Sequence, residues 1–187
     1  LATTLVKIIR EDGSVAEAGE AGEICMRSVS NMLEYWGDRE ETARAFDDEG
    51  FMRSGDIGYL DADGFLYIVD RKKDMVITGG VNVYPREIEE RLYQHPAVED
   101  VQIVGVPDRK YGEEVLAWIK LRPGSSVTEQ EIRDFCRDSL AHFKTPRYIK
   151  FVDSFPTTVT GKIQKYKIRE LAIQDLGLQD AAKIRSE

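Results

Sequence analysis

Short apolar runs separated by turn residues predict that the first part of the chain is mainly β-structure. Strands are predicted over 5–10 and 22–27, and two more within 50–70. In the last pair, Asp61-Ala62-Asp63-Gly64 predicts a hairpin turn, because Asp tolerates a tight bend and Gly supplies positive φ. A short helix is predicted over 38–46, with acidic residues in its first turn.

After Arg71 the pattern changes to alternating strands and helices. Two short strands flank Gly79-Gly80, which predicts a hairpin with a glycine tip. Pro85 suits the first turn of a helix, and Thr128 with Glu131 predicts a capping box at the start of another. The predicted strands are 75–78, 81–84, 98–106, 115–121 and 148–152. The predicted helices are 85–95, one from 128, and 166–176, the last of which is predicted to close the chain. This arrangement predicts an α+β domain with a small mixed sheet.

The charges are distributed unevenly between these two parts. The formal net charge is -8, with 26 Lys and Arg against 34 Asp and Glu, which argues against nucleic acid as a partner. Residues 1–70 hold 6 of the basic and 16 of the acidic residues, so the remainder holds 20 and 18. Cys25 and Cys136 belong to no CxxC pair, so neither a metal site nor a disulfide framework is predicted. No apolar run is long enough to predict a transmembrane segment, and the first residue, Leu1, suggests part of a longer polypeptide.

Three short clusters contain candidate chemical groups. They are Arg53-Ser54-Gly55-Asp56, the run Asp70-Arg71-Lys72-Lys73-Asp74 with Thr78-Gly79-Gly80, and Thr160-Gly161-Lys162. Each by itself has an ordinary explanation: a strand-end turn, a solvated charged stretch and a flexible surface lysine. His95 and His142 are interpreted as packing or capping residues with no chemical role.

The order and context of these clusters resemble the C-terminal part of the adenylate-forming enzymes, which include acyl-CoA synthetases, aryl-CoA ligases and peptide-synthetase adenylation domains. The resemblance runs from about Gly22 to Glu170. It rests on GEICMRS, GFMRSGDIGYLDADGFLYIVDRKKDMVITGGVNVYPREIEE, HPAVEDVQIVGVPDRKYGEEVLAWI and FPTTVTGKIQKYKIRE. It implies a hinge at Asp70, with 1–69 as the β-rich end of a large N-terminal adenylation domain and 70–187 as the small lid domain.

The resemblance also implies roles in acid activation. Asp56 matches an aspartate that accepts hydrogen bonds from the ribose hydroxyls of ATP, and Arg71 matches an arginine that approaches the ribose and phosphate. At Asp70 a few backbone rotations would let the lid change its orientation between the two half-reactions. Lys162 matches the catalytic lysine, whose ammonium group would stabilise the charge that develops when a carboxylate attacks the α-phosphate.

A weaker set of expectations concerns the second substrate, CoA. Gly79 and Gly80 would line the pantetheine tunnel, where the absence of side chains permits close approach of the backbone. Residues near the CoA nucleotide would be Val81, Asn82, Lys144 and Arg147. The last two could neutralise phosphates, although they could equally be solvated cations at helix ends.

The resemblance therefore predicts part of a cytoplasmic, ATP-dependent acyl-CoA synthetase acting on a carboxylic acid, with a fatty acid favoured. Mg²⁺ is expected with its ligands outside this chain. The phosphate loop and the acid pocket are not recognisable here, so the fragment alone is expected to be inactive and to depend on the N-terminal domain of the same enzyme. The alternatives are an aryl-acid CoA ligase, an adenylation domain that loads a carrier protein, or a non-catalytic isolated lid.

Overall fold

The computed structural model of the chain describes residues 4–184 and comprises two compact units, Leu1–Lys73 and Asp74–Glu187. The division follows Lys73, a few residues beyond the predicted boundary at Asp70, because strand pairing continues to Arg71. The hinge at Asp70 stays a prediction.

The first unit is an antiparallel four-stranded sheet with strand order β1-β2-β3-β4. Its elements are β1 (Thr4–Ile9), β2 (Gly22–Ser28), helix α1 (Arg39–Ala45), β3 (Met52–Leu60) and β4 (Leu66–Arg71). Asp38 caps α1 by accepting a hydrogen bond from the Glu41 N–H at 2.9 Å. A small core of Ile9, Cys25 and Phe51 lies on one face of the sheet. This unit is mainly β, as predicted.

The second unit contains a mixed five-stranded sheet with the order β6-β5-β8-β7, in which β9 pairs parallel with β8. Its strands are β5 (Val76–Thr78), β6 (Val81–Val83), β7 (Val98–Asp108), β8 (Gly112–Leu121) and β9 (Tyr148–Phe151). Its helices are α2 (Pro85–Tyr93), α3 (Glu129–Arg137), α4 (Lys165–Asp175) and α5 (Gln179–Ile184), and short 3₁₀ turns lie at Lys72–Asp74 and His142–Lys144. Helix α5 follows the one predicted to close the chain, so that expectation was wrong.

Helices cover both faces of this sheet, because alternate residues of β7 and β8 point to opposite sides. Ile103 and Ala117 pack with α2 and α3 in one core, whereas Val104 and Trp118 pack with α4 in another. The two cores fix α4 on the face opposite α2 and α3. The α+β fold with a small mixed sheet is confirmed.

Candidate functional site

The first candidate site lies where β3 and β4 pair near the end of the first unit. Asp56 and Arg71 are partners in the strand register, so their backbones are adjacent although the residues are distant in sequence. Gly55 has a φ of 72°, and the next residue, Asp56, donates its N–H to the Ser54 hydroxyl at 3.0 Å. Arg71 Nε lies 3.6 Å from Asp56 Oδ1. The structure therefore brings together the two residues predicted to contact the nucleotide.

A cavity of about 480 Å³ opens beside this pair, and its lining contains three cationic side chains and one carboxylate. The residues that line it are Ser54, Gly55, Asp56, Arg71, Lys72 and Lys73. Asp56 and Arg71 keep 34% and 64% of their side chains exposed, so both remain accessible to a ligand. This lining suits a ligand that carries both hydroxyl groups and negative charge.

A buried carboxylate on the neighbouring strand β2 holds two of the nearby cations. Glu23 is only 7% exposed, and its Oε2 accepts hydrogen bonds from Lys72 Nζ at 2.9 Å and Arg53 Nη1 at 3.1 Å. Lys72 belongs to the charged run of the sequence but had no predicted role, and Glu23 was not among the predicted residues. Only the strand order reveals this contact, since Glu23 lies on β2 and Lys72 directly after β4.

Asp70, the predicted hinge residue, lies in β4 rather than in a loop. Its Oδ1 accepts a hydrogen bond from the Arg71 N–H at 2.7 Å.

Lys162 lies on a tight loop of the second unit. Thr157 and Ile163 form an isolated antiparallel bridge at the base of this loop. The Thr158 N–H donates to the Lys162 carbonyl at 2.8 Å, and the Lys162 N–H donates to the Thr158 hydroxyl at 3.1 Å. Gly161 makes the turn with a φ of 82°. The Lys162 side chain is exposed, and its ammonium group has no partner among the residues that the structure describes.

Helix α4 follows this loop directly and fixes its base to the sheet. Ile168 and Ala172 are buried in the second core. Lys165 Nζ contacts Glu89 Oε1 at 2.8 Å, and the same oxygen accepts the Ile103 N–H at 2.9 Å. The backbone of the lysine loop is therefore held by hydrogen bonds and by α4, and the Lys162 side chain is exposed.

The predicted CoA residues are only partly brought together. Gly79 and Gly80 form the tip of the β5–β6 hairpin with φ values of 58° and 81°. A cavity of about 530 Å³ lies beside this tip, and of the predicted set it includes Gly79, Val81 and Arg147. Its complete lining is Thr78, Gly79, Val81, Tyr111, Glu114, Arg133, Arg137, His142, Phe143, Thr145, Pro146 and Arg147. Gly80, Asn82 and Lys144 are absent from it.

The two cations predicted to meet the phosphates of CoA both have acidic partners. Arg147 Nη1 pairs with Glu114 Oε1 at 3.2 Å, and the pKa of Arg147 is raised by the charges of Glu114 and Tyr148. Lys144 Nζ forms an ion pair with the Glu87 carboxylate at 2.7 Å.

Of the residues that line this cavity, Tyr111, Arg133, Arg137 and Phe143 were not predicted from the sequence, and His142 was predicted to have no chemical role. The only sequence signal for Arg133 and Arg137 was their position on the polar face of α3. His142 lies after that helix, in a short 3₁₀ turn.

The part of the chain between 4 and 184 contains no group of three or more His, Cys, Asp or Glu side chains arranged to hold a metal ion. No helix in it is both long enough and apolar enough to cross a membrane.

Residues 87–162 match the family model of the AMP-binding enzyme C-terminal domain. Residues 87–162 therefore belong to the family of AMP-binding enzyme C-terminal domains. The match covers most of the second unit as far as Lys162, which is its last residue. The resemblance to the adenylate-forming enzymes is therefore confirmed.

Known proteins with similar sequences and structures agree with this family. A Bacillus subtilis protein named as an acyl-CoA synthetase, YngI, is 49% identical over 180 residues, which are 95% of this chain and 33% of that protein. The mitochondrial medium-chain acyl-CoA ligase ACSF2 of Bos taurus is 47% identical over 168 residues, 90% of this chain and 27% of that protein. ATP-bound MatB from Rhodopseudomonas palustris superposes with a TM-score of 0.86 at 34% identity, covering 91% of this chain and 34% of MatB. The chain spans about a third of the length of these proteins.

Proposed function

We propose that this chain is part of an ATP-dependent acyl-CoA synthetase that acts on a medium- or long-chain fatty acid. In the first step, a carboxylate oxygen attacks the α-phosphorus of ATP, the bond to the β-phosphate breaks, and pyrophosphate leaves. In the second step, the CoA thiol loses its proton and attacks the acyl carbon, and AMP leaves. The observation that carries this proposal is the exposed ammonium group of Lys162 on a firmly held loop. A fatty acid is favoured by the ACSF2 relatives, whose name specifies medium-chain acids.

Lys162 is the proposed catalytic residue of the first step. Two anions must approach each other there, and a positive charge beside them lowers the barrier. Two features of Lys162 support this role. Its ammonium group is not committed to an ion pair within the described residues, and its backbone is fixed by Thr158. A long side chain on a rigid base can reach a ligand without the entropic cost of ordering a whole loop.

Asp56 and Arg71 are the proposed nucleotide-binding residues. The Asp56 carboxylate can accept hydrogen bonds from two ribose hydroxyls at once, because each of its oxygens has two lone pairs. The distance of 3.6 Å between Arg71 Nε and Asp56 Oδ1 is long for an ion pair, so a ligand would not have to break a tight contact. Lys72, held by Glu23, adds a further positive charge to the same cavity. Mg²⁺ is proposed to accompany ATP with ligands outside this chain.

The cavity beside the glycine hairpin is the proposed site for the nucleotide end of CoA. Arg147, Arg133 and Arg137 supply three guanidinium groups that could bind its phosphates. Tyr111 and Phe143 offer aromatic surfaces for the adenine. Lys144 does not line this cavity, so it is a weaker candidate than the three arginines, each of which also pairs with a carboxylate.

The other inferences from the family also remain proposals. Asp70 is the proposed hinge, with 1–69 and 70–187 as the two domains. The location is proposed to be cytoplasmic, although the ACSF2 relatives are named as mitochondrial. An aryl acid is the second candidate substrate, since the anthranilate CoA ligase AuaEII shares 36% identity with this chain.

The direct test is the substitution Lys162→Ala in the longer protein that contains this chain. Pyrophosphate release should fall by on the order of a hundredfold or more with the best acid of a panel of fatty and aryl acids. Lys167→Ala is the matched control, since Lys167 is also an exposed lysine near the same loop and has no proposed role. Near-normal formation of acyl-adenylate by the Lys162 variant would overturn the proposal.

A second test separates the two substrates. Arg147→Ala together with Arg137→Ala should raise the KM for CoA and leave pyrophosphate release unchanged.

Transfer of the acyl group to a carrier protein but not to CoA would instead favour the adenylation-domain alternative. The isolated chain is expected to be inactive. It is also expected to bind ATP weakly, and calorimetric titration can measure that affinity.

A further inference from the structure

A buried carboxylate of the second unit has no part in the mechanism above. Glu113 lies at the start of β8 and is 2% exposed. Its Oε1 accepts a hydrogen bond from Arg169 Nη1 at 2.7 Å, and its Oε2 accepts the Ile77 N–H at 3.0 Å. Burial of a charge is costly unless the charge is paired and hydrogen-bonded, as it is here. Arg169 belongs to α4 and Ile77 to β5, so this one carboxylate joins three elements.

The backbone of the β5–β6 hairpin has few hydrogen bonds to β8, although Val76 and Val83 are buried in the core. Strand β5 pairs with β8 only at Thr78 and Gly112. A second backbone contact is the Gly79 N–H, which donates to the Tyr111 carbonyl at 2.8 Å. At Ile77, the Glu113 carboxylate takes the place that a neighbouring strand's carbonyl would occupy. The side chain of Glu113 therefore acts as an acceptor for the edge of the hairpin.

The surrounding residues make room for the carboxylate and hold it in place. A Cβ atom at Gly105 would lie 3.1 Å from the carboxyl carbon of Glu113 and 3.0 Å from Val76 Cγ1, so a side chain there would crowd the group. Arg169 Nη1 also donates to the Gly105 carbonyl at 2.8 Å. The guanidinium group is thus fixed from two sides, and it fixes the carboxylate in turn.

We propose that Glu113 is a positioning residue for thioester formation, because it holds the glycine hairpin beside the proposed CoA cavity. This inference rests on the proposed function. The lysine loop has independent anchors in Ile168, Ala172 and the contact of Lys165 with Glu89. Loss of the Glu113 charge should therefore affect the second half-reaction and spare the first.

The chain offers a matched control for this inference. Glu89 has a side chain that is 15% exposed and, like Glu113, it binds a cation of α4 and a backbone N–H of the sheet. That N–H belongs to Ile103 in β7 and not to the hairpin. Glu113→Gln and Glu89→Gln keep the side-chain shape and remove the same charge. They differ mainly in whether the backbone of β5 or that of β7 loses its contact with a carboxylate.

The experiment measures the two half-reactions separately in the longer protein, with pyrophosphate release for the first and acyl-CoA formation from preformed acyl-adenylate for the second. Glu113→Gln should slow the second step by on the order of tenfold or more and raise the KM for CoA, since small displacements of a positioned group carry large rate penalties. Pyrophosphate release should stay at the wild-type rate. Glu89→Gln should spare the second step.

Hydrogen exchange of residues 76–83 provides a readout that does not depend on activity. Exchange there should rise in Glu113→Gln and stay at the wild-type level in Glu89→Gln. Unchanged exchange in the hairpin, or an equal loss in both half-reactions, would overturn the inference. A wild-type protein that catalyses neither half-reaction would overturn the proposed function itself, and that result would be evident before any variant is made.

Discussion

Helix α4 supports the lysine loop, so its attachment to the sheet is the most informative contact to perturb. Ile168 is fully buried in the core formed with Val104, Leu116 and Trp118. Ile168→Ala removes three carbon groups, and at about 0.8 kcal/mol for each the transfer free energy is about 2.4 kcal/mol. The cavity that remains adds a further cost, so we expect the free energy of unfolding to fall by about 3 kcal/mol, within the range of about 2–5 kcal/mol for such changes.

The two tryptophans of the chain allow this loss to be measured in the second unit alone. Trp118 is 4% exposed and belongs to the same core as Ile168, whereas Trp36 is 96% exposed and lies in the first unit. Separate units need not unfold together, so a signal from the whole chain would not follow a single transition. In a Trp36→Phe background, fluorescence reports on Trp118. With a typical urea dependence of about 1–3 kcal/mol/M, the midpoint should fall by about 1–3 M.

The control for this measurement is on the same helix. Leu171 is 42% exposed, so Leu171→Ala removes as many carbon atoms without opening a cavity, and the expected loss is below about 1 kcal/mol. If Ile168→Ala also costs less than about 1 kcal/mol, or if both substitutions cost the same, then burial of α4 is not what attaches it to the sheet.

Three further predictions test other elements. Thr128→Ala removes the capping box with Glu131 and should cost about 1 kcal/mol, measured by urea unfolding; no loss would contradict the capping geometry. Burial and the hydrogen bond to Asp100 raise the pKa of Tyr93 from 10.0 to about 12. The contribution of neutral Tyr93 to the free energy of unfolding is therefore complete below pH 10 and is lost as the pH rises towards 12. Tyr93→Phe should remove that part of the pH dependence, and an unchanged profile would contradict the assignment. Gly58→Ala places a Cβ 2.4 Å from a carbonyl oxygen of β4, so hydrogen exchange in β3 and β4 should increase; wild-type exchange would show that the strands do not approach so closely.

Local sequence patterns identified most of the secondary structure. Pro85 begins α2, the capping box at Thr128 begins α3, and the predicted glycine tip joins β5 to β6. These features depend on residues only a few positions apart, so their geometry follows from local backbone preferences. Helix α5 was missed, because a short segment after Gly177 carries little periodic signal.

The family resemblance, rather than any single motif, marked Lys162, Asp56 and Arg71 as candidates, because the matching segments around them are continuous in sequence. It could not select Glu23, which stabilises Lys72, or Arg133 and the other cations that line the cavity with Arg147. Those contacts join residues on different strands or helices.

The sequence alone thus determined most of the strands and helices and the chemical groups offered by the continuous motifs. The tertiary structure alone decided which of those groups meet, because strand order and register set the side-chain neighbours. A bulge between Ile57 and Gly58 shifts that register next to Asp56. The partners of Glu113 show the same limit: Ile77 and Arg169 become its neighbours only when the sheet assembles and α4 packs on it.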